Sequence, residues 1–197
     1  MGGSLGYNGA WFMLEVILLS VALAMDAMAV SIVNGIKYRN YTDKAMFLAS
    51  FSFGLFQGLM PLLGYLVFSP FIPYIEKIDH WIVLIVLSAI GINMIKESFD
   101  KENIEERSQD FSFKILIYES IATAIDALSS GVALEAFPIS PYLSCFLIFA
   151  ITFVICLVAH RLGRRIALLL KDKATIMGGV ILICLGIKTV LEHLGII

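Results

Sequence analysis

The chain has 197 residues, of which 59% are hydrophobic and only 15% carry a charged side chain. Soluble domains average about 25% charged residues, so this composition excludes an ordinary soluble protein and indicates an integral membrane protein. The formal net charge of -2 offers no basic surface, which argues against a nucleic-acid-binding function.

Six apolar stretches are long enough to cross a bilayer, which requires roughly 20 mostly apolar residues in each helix. They are predicted as helices over about 11–33, 45–68, 80–98, 112–136, 142–162 and 175–195. No Lys or Arg precedes the first stretch, and it is too long for the core of a signal peptide, so we expect a retained transmembrane helix. The predicted fold class is an all-α membrane protein with six transmembrane helices.

Lys and Arg residues lie almost entirely on one side of the predicted membrane. Of the 14, all but two are in or beside the connections that follow the first, third and fifth helices: Lys37, Arg39, Lys44, Lys96, Lys101, Arg107, Lys114, Arg161, Arg164, Arg165, Lys171 and Lys173. The exceptions are Lys77, on the opposite side, and Lys188, inside the last helix. Because cytoplasmic loops carry the excess of basic residues, we expect both termini to be extracytoplasmic.

An internal repeat relates the first and fourth helices. The ten residues that begin at Ala22 and the ten that begin at Ala122 share Ala, Ala, Asp and Ala at matching places. The shared aspartates, Asp26 and Asp126, therefore lie 100 positions apart. Such self-similarity predicts that the chain is built from two related halves.

The repeat extends to the third and sixth helices, which end in the same pattern, Gly-Ile-x-x-Ile/Val-x-Glu, beginning at Gly91 and Gly186. With three helices in each half, the second repeat must be inverted in the membrane relative to the first. Inverted repeats recur in transporters, which bind substrate near the midplane where the halves meet. We predict a first three-helix repeat over 1–98, an acidic cytoplasmic linker over 99–111 and a second three-helix repeat over 112–197.

The two aspartates lie inside apolar helices, where a charge costs at least about 2.5–3.5 kcal/mol. Small residues one turn away, Ala22 beside Asp26 and Ala122 beside Asp126, allow another helix to approach closely. We therefore expect the two carboxylates to meet at the interface of the repeats. Neighbouring carboxylates repel each other unless a proton or a cation lies between them, and their hard oxygens favour Mg²⁺, Ca²⁺ or Mn²⁺.

Other oxygen side chains could complete this site. Gln57 lies one turn before Pro61, which interrupts the hydrogen bonding of the second helix. Its amide oxygen could bind a cation, or the side chain could instead bridge two helices. The second repeat supplies three hydroxyl groups close to its aspartate: Thr123, Ser129 and Ser130.

Two methionines, Met25 and Met28, flank the first aspartate. A thioether ligand from Met25 would favour a transition metal over Mg²⁺ or Ca²⁺. The alternative is that both methionines pack against lipid or other helices. The predicted metal site comprises Asp26, Asp126, Gln57, Thr123, Ser129, Ser130 and Met25.

The three cysteines are odd in number and have no paired spacing, so they indicate neither a disulfide framework nor a Cys-x-x-Cys metal site. Each of Cys145, Cys156 and Cys184 lies in an apolar run. We expect all three to be small buried apolar residues, with soft metal ligation as the alternative.

Several other polar residues lie near the predicted ends of helices. Glu119 is expected to be solvated, and His80 to anchor its helix at the membrane interface. His160 begins a cluster rich in arginine and is expected to form part of a positively charged cytoplasmic anchor. Glu97 and Glu192 also lie near interfaces, and they occupy matching positions in the two repeats.

Five motifs are distributed along nearly the whole chain. They are Met-Asp-Ala-Met-Ala-Val-Ser from Met25, Gly-Leu-Phe-Gln from Gly54, His-Trp-Ile from His80, Ala-Thr-Ala-Ile-Asp-Ala-Leu from Ala122 and Ile-Met-Gly-Gly-Val from Ile176. Together they resemble the manganese efflux pump family, MntP, a six-helix group within the LysE-type exporter superfamily. The resemblance implies export of Mn²⁺ from the cytoplasm across the plasma (inner) membrane of a bacterium. It also implies that the acidic residues at positions 26 and 126 are essential.

The predicted function is that of a secondary transporter, which exports Mn²⁺ in exchange for protons through a midplane site between Asp26 and Asp126. The sequence has no Walker-type nucleotide-binding loop, so this chain is not expected to hydrolyse ATP. Mn²⁺ is the expected substrate and no cofactor is expected. The expected partners are the divalent metal ion and the lipid bilayer, with no nucleic acid, and the chain is expected to be a monomer or a homodimer.

Two alternatives remain open at this point. The chain could export another divalent cation or a small organic solute such as an amino acid, although only Lys188 offers a positive charge in the membrane to hold a substrate carboxylate. More remotely, two membrane aspartates that share a proton could act as an aspartyl protease. Neither Asp26 nor Asp126 stands in the Gly-x-Gly-Asp motif of that class, so we do not expect an enzyme.

Overall fold

The computed structural model describes residues 4–38, 42–68, 79–99, 112–134, 139–170 and 172–194, and its regular structure in these ranges is helical. The helices are α1 (Ser4–Lys37), α2 (Asp43–Leu63), α3 (Asp79–Phe99), α4 (Phe113–Ala124), α5 (Ala127–Ala133), α6 (Pro141–Leu170) and α7 (Asp172–His193). A wider, π-helical turn over Gly64–Phe68 continues α2. The prediction of an all-α fold is therefore confirmed for the described part of the chain.

Three of the described stretches are long and apolar enough to cross a membrane, judged by length and composition. They are Trp11–Lys37, Asp43–Leu66 and Pro141–Leu169, and shorter apolar helices cover His80–Lys96 and Thr175–Leu191. Many large apolar side chains on these helices point outward, among them Trp11, Phe146 and Val158, each at least 60% exposed. Apolar surface of this extent is unfavourable in water and favourable in lipid, so the chain is a multi-pass membrane protein.

The fourth predicted span is a broken helix, which the sequence pattern did not indicate. It consists of α4 and α5, separated by Ile125 and Asp126. The Asp126 carboxylate accepts a hydrogen bond from the Ala127 N–H at 2.8 Å. In a continuous helix that N–H would bond to the carbonyl of Thr123, so the aspartate side chain competes with the backbone for the donor and favours a turn here.

The fifth helix is longer than its predicted span. The pattern predicted a connection over 163–174, but α6 continues to Leu170 and α7 begins at Asp172. Arg161, Arg164 and Arg165 therefore lie on a helix, since no proline interrupts this region and its one glycine is a packing position. These three arginines of the basic cluster are thus presented by a helical surface.

The interior is formed by close contacts between α1 and α6, between α3 and α7, and between α2 and both α6 and the α4–α5 pair. Small residues allow this approach. A side chain at Gly163 on α6 would collide with the Ile32 carbonyl of α1, and one at Gly35 on α1 would collide with the His160 carbonyl of α6. The two backbones are therefore in direct contact, and polar side chains on α1, α2 and α6, among them Asn34, Ser50 and His160, are buried in the interior.

Candidate functional site

The break between α4 and α5 presents Asp126 at a position where the helical hydrogen bonding is altered. The Asp126 carbonyl accepts bonds from the Ser129 N–H at 3.2 Å and from the Ser129 hydroxyl at 2.7 Å. The Leu128 N–H bonds to the Ile125 carbonyl at 3.2 Å, three residues back. These short-range bonds replace the usual spacing of four residues, so Asp126 lies in a tight turn, and its side chain is half-buried.

Asp26 lies on the continuous helix α1 and is also half-buried. One turn away on the same face, the Leu23 carbonyl accepts a hydrogen bond from the Gln57 Nε2 of α2 at 2.9 Å. Gln57 is fully buried, and its amide oxygen has no hydrogen-bond partner in the described structure. This oxygen is a free acceptor on the amide group that bonds to α1 at Leu23, three residues before Asp26.

The same part of α2 also contacts the segment that follows Asp126. A side chain at Gly64 would meet the Leu128 carbonyl, and one at Gly131 would meet the Pro61 carbonyl, so the two backbones touch. Pro61 lies within α2 and has no N–H to donate to the carbonyl of Gln57, four residues earlier. Helix α2 and its π-helical continuation therefore contact both α1, which carries Asp26, and the segment that follows Asp126. The Gln57 side-chain oxygen and backbone carbonyl are acceptors on this part of α2.

The three predicted hydroxyl groups lie on the broken helix and donate their protons to nearby carbonyls. Thr123 is buried and bonds to the Glu119 carbonyl at 2.9 Å, while the half-buried Ser130 bonds to the Ala127 carbonyl at 2.7 Å. Ser129 bonds to the Asp126 carbonyl, as described above. In each case the hydroxyl oxygen keeps lone pairs with which it could bind a cation.

Met25 lies on the outer surface of α1, with 56% of its side chain exposed. A residue next to an inward-facing one on a helix points in a different direction, because each position rotates the side chain by about 100°. This exposure fits the alternative of a lipid-facing methionine, so the Met25 thioether is not part of the ligand set that we propose.

Within the described ranges, no group of three or more His, Cys, Asp or Glu residues is close enough together to hold a metal ion. A cation site in this part of the chain would therefore combine a small number of carboxylates with neutral oxygens from amide, hydroxyl or carbonyl groups. Such donor sets suit hard or borderline divalent cations better than soft ones.

Glu119 was expected to be solvated near a helix end, and this prediction was wrong. The side chain is only 1% exposed, and its Oε2 accepts a hydrogen bond from the Asn34 Nδ2 of α1 at 2.6 Å. One residue further, the Ser120 and Ser52 hydroxyls lie 2.9 Å apart between α4 and α2. The burial follows from tertiary packing, because α4 is covered by three other helices at this level.

His160 was expected to act as a cytoplasmic anchor, but it is fully buried. Its Nδ1 lies 2.7 Å from the Cys156 carbonyl and 3.2 Å from the Ser50 hydroxyl. A carbonyl can only accept, so Nδ1 carries a proton, and the Ser50 hydroxyl donates to the Met46 carbonyl at 2.8 Å. A small residue on the same helix, Gly163, could have indicated this burial from the sequence, because it lies on the face that packs against α1.

The cysteines and His80 lie within the described structure. Cys145 and Cys156 are buried as predicted, but Cys184 is exposed on the apolar outer surface of α7. His80 was expected at the membrane interface and is 4% exposed, so it is buried in the protein. The side chains of Glu97 and Glu192 fall outside the described structure.

Comparison with known proteins decides the family. The family model described as "Mntp: Putative manganese efflux pump" matches residues 40–190. The chain belongs to this family. As the motifs implied, it is thus a member of the MntP group, which comprises transporters and not enzymes. No solved structure matches the chain.

Similar proteins of this family come from several bacteria. The "Putative manganese efflux pump MntP" of Campylobacter jejuni strain RM1221 is 43% identical over 180 residues, which cover 91% of this chain and 96% of the relative. "Putative manganese efflux pump MntP 1" of Wolinella succinogenes is 42% identical over 92% of this chain and 99% of the relative. The MntP protein of Desulfitobacterium hafniense strain Y51 is 42% identical over 92% and 96%, respectively.

The free amide oxygen of Gln57 gives a first testable prediction. In the Gln57→Leu variant, which keeps the volume but removes both the amide oxygen and the Nε2 bond to the Leu23 carbonyl, we expect the affinity for a bound divalent cation to fall about tenfold, equivalent to about 1.4 kcal/mol. Equilibrium dialysis of the purified protein with Mn²⁺ measures this. Ser144→Ala is the matched control, since it also removes a buried oxygen that has no partner in the described structure, but on α6. Equal affinities in the two variants would contradict a ligand role for Gln57.

Proposed function

We propose that this protein is a secondary transporter that exports Mn²⁺ from the cytoplasm in exchange for protons. The observation that supports this proposal best is the break at Asp126, where an acidic residue lies in a turn between α4 and α5. Asp26 and Asp126 would share the cation, and Gln57, Thr123, Ser129 and Ser130 would supply further oxygens. The relatives described as manganese efflux pumps support Mn²⁺ as the substrate.

Two helix ends of opposite partial charge meet at the break, and the Asp126 carboxylate already binds the positive N-terminal end of α5 through the Ala127 N–H. Helix α4 ends at Ala124, two residues before Asp126. The C-terminal end of a helix carries a partial negative charge, and interrupted transmembrane helices in transporters use such ends and their free carbonyls to coordinate cations. The cation would therefore be attracted by two carboxylates, by the end of α4 and by neutral oxygens.

The helix contacts are consistent with an inverted repeat of three plus three helices. In such an architecture, a contact between the first and fifth helices implies an equivalent contact between the fourth and second, and α1–α6 and α2–α5 both make close backbone contacts at glycines. Likewise, Gly91 on α3 meets Gly179 on α7, and Gly186 on α7 meets Leu84 on α3. Gly186 lies 95 positions after Gly91, and Gly179 lies 95 positions after Leu84. This is the same offset as in the sequence repeat of the third and sixth helices.

In this mechanism the two carboxylates bind the cation and the protons in turn. They bind the cation from the cytoplasmic side, and protons from outside replace it when the site faces outward, because two adjacent carboxylates without a cation repel each other. Rocking of one repeat against the other would change the accessible side. We propose that both termini are extracytoplasmic, since basic residues follow the first, third and fifth helices.

The test is a transport assay with the purified full-length chain in proteoliposomes. With an imposed pH gradient, we expect Mn²⁺ flux coupled to an opposite proton flux, reported by a metal-sensitive and a pH-sensitive dye. Parallel experiments use Mg²⁺, Ca²⁺ and radiolabelled lysine, which test the alternatives of another cation or an amino acid. Lysine flux without Mn²⁺ flux would overturn the proposal, and Mn²⁺ flux that is independent of protons would overturn the exchange mechanism.

A further inference from the structure

A second polar pair lies in the interior, away from the two aspartates. The Asn34 and Glu119 side chains are each only 1% exposed and are joined by the 2.6 Å bond from Nδ2 to Oε2. One oxygen on each side chain, Asn34 Oδ1 and Glu119 Oε1, has no hydrogen-bond partner in the described structure. Asn34 Oδ1 is attached to the same carbon as Nδ2, and Glu119 Oε1 to the same carbon as Oε2. Both free oxygens therefore lie beside the hydrogen bond.

While Glu119 is ionised, its free oxygen and that of Asn34 are two buried acceptors without a donor, which is unfavourable, and more so for the charged group. The nearest basic residue along α1 is Lys37, whose ammonium group lies over the Tyr38 ring, 5.3 Å from its centre. It attracts the Glu119 carboxylate through space but forms no hydrogen bond to the free Glu119 oxygen. A cation bound by the two oxygens would satisfy both. Carboxylate and amide oxygens are the ligands that hard divalent cations use in proteins.

The pair also lies beside the positions of the aspartates on the same helices. On α1, Asn34 follows Asp26 by eight positions, which rotates the helix by about 80° beyond two full turns, so the two residues lie on adjoining faces about 12 Å apart along the helix. On α4, Glu119 and Thr123 are four positions apart and share a face, and the helix ends at Ala124, before Asp126. The oxygens of the second pair therefore lie between α1 and α4, one to two turns along these helices from the aspartates.

We propose that Glu119 and Asn34 form a second binding site for the transported divalent cation, between the cytoplasm and the site of Asp26 and Asp126. This inference rests on the proposed function, and it adds a step to the path. Asn34 is three residues before Lys37, at the end of α1 that we place on the cytoplasmic side. With one carboxylate instead of two, the site binds a cation more weakly, as a step in a conduction path requires.

The test is the number of Mn²⁺ ions bound per purified full-length chain, measured by equilibrium dialysis and by Mn²⁺ electron paramagnetic resonance. We expect Glu119→Gln to bind one ion fewer than the wild type, and Asp126→Asn to lose the other ion. Glutamine retains an oxygen that can accept the Asn34 bond, so the packing is preserved. Thr152→Val is the matched control, because it removes a buried hydroxyl that also has no partner in the described structure, but on α6.

The outcomes separate this inference from the proposed function. Wild-type stoichiometry in Glu119→Gln overturns the second site and leaves the aspartate site intact; it is also the result expected if Glu119 only held a proton or a structural bond. A wild type that binds no Mn²⁺ overturns both. If Glu119→Gln does not fold, Asn34→Asp decides, because a second carboxylate should raise the affinity of this site about tenfold or more, whereas unchanged or weaker binding overturns the proposal.

Discussion

Replacing Asp126 by Asn is expected to abolish manganese export while the protein still folds. The Asn side chain keeps an oxygen that can accept the Ala127 N–H, which Asp126 now binds at 2.8 Å, so the turn between α4 and α5 should persist. The negative charge is lost. Removing one partner of a buried charged interaction costs about 2–5 kcal/mol, which corresponds to a loss of roughly 30-fold to several thousand-fold in cation affinity.

The measurement is the manganese content of bacterial cells that lack their own exporter and express the variant in medium containing Mn²⁺. We expect Asp126→Asn cells, and equally Asp26→Asn cells, to retain as much manganese as cells without the protein. Asp43→Asn is the matched control, because the same chemical change is made at a carboxylate whose side chain is 86% exposed and 3.9 Å from Arg164. Such exposed pairs contribute little. Export at the wild-type level by Asp126→Asn, with equal expression, would contradict the proposed site.

The sequence was sufficient for the features that depend on composition and on repetition. The helical fold and membrane character follow from long apolar runs, and the family follows from the motifs around Asp26 and Asp126. Those signals are local, and they can be recognised without knowing which helices contact each other. The carboxylates themselves could be selected because charge in an apolar helix is unfavourable and so indicates a use.

The break at Asp126 could not be predicted from the same signals. The residues from Ala124 to Ala127 include no glycine or proline, and apolar residues continue on both sides. The break depends on whether the aspartate side chain turns back to the Ala127 N–H or leaves the backbone to form its helical bond. The backbone just beyond the break is in close contact with α2 at Gly64 and Gly131, and a single sequence does not display that contact.

The burial of Glu119 and His160 was missed for a related reason. Both residues are close to the ends of their apolar runs, and position along a run indicates depth in the membrane but not which face is covered. Glu119 is covered because Asn34 approaches from α1. His160 is covered because α6 continues as a helix beyond it and contacts α1. Pairwise contacts between distant segments, which a single sequence does not display, decide both cases.

The contact between α1 and α6 gives the second prediction with a large effect, the Gly163→Ala variant. A methyl group at Gly163 would collide with the Ile32 carbonyl and would lie 3.1 Å from the Gly35 Cα. Backbone atoms cannot move aside as a flexible side chain can, so the two helices must separate. Overpacking of this kind costs about 1–3 kcal/mol, and we expect a lower melting temperature in detergent together with a loss of transport.

Gly178→Ala is the control that isolates the steric effect. It is also a buried helical glycine, but an added methyl group would meet side-chain atoms, Met94 Cε at 3.0 Å and Val33 Cγ1 at 3.3 Å. Both substitutions gain the same helix propensity, about 1 kcal/mol for Ala over Gly. Gly178→Ala should therefore melt at or above the wild-type temperature, and Gly163→Ala well below it. If both variants are equally stable, α1 and α6 are not in the backbone contact described here, and the burial of His160 has another cause.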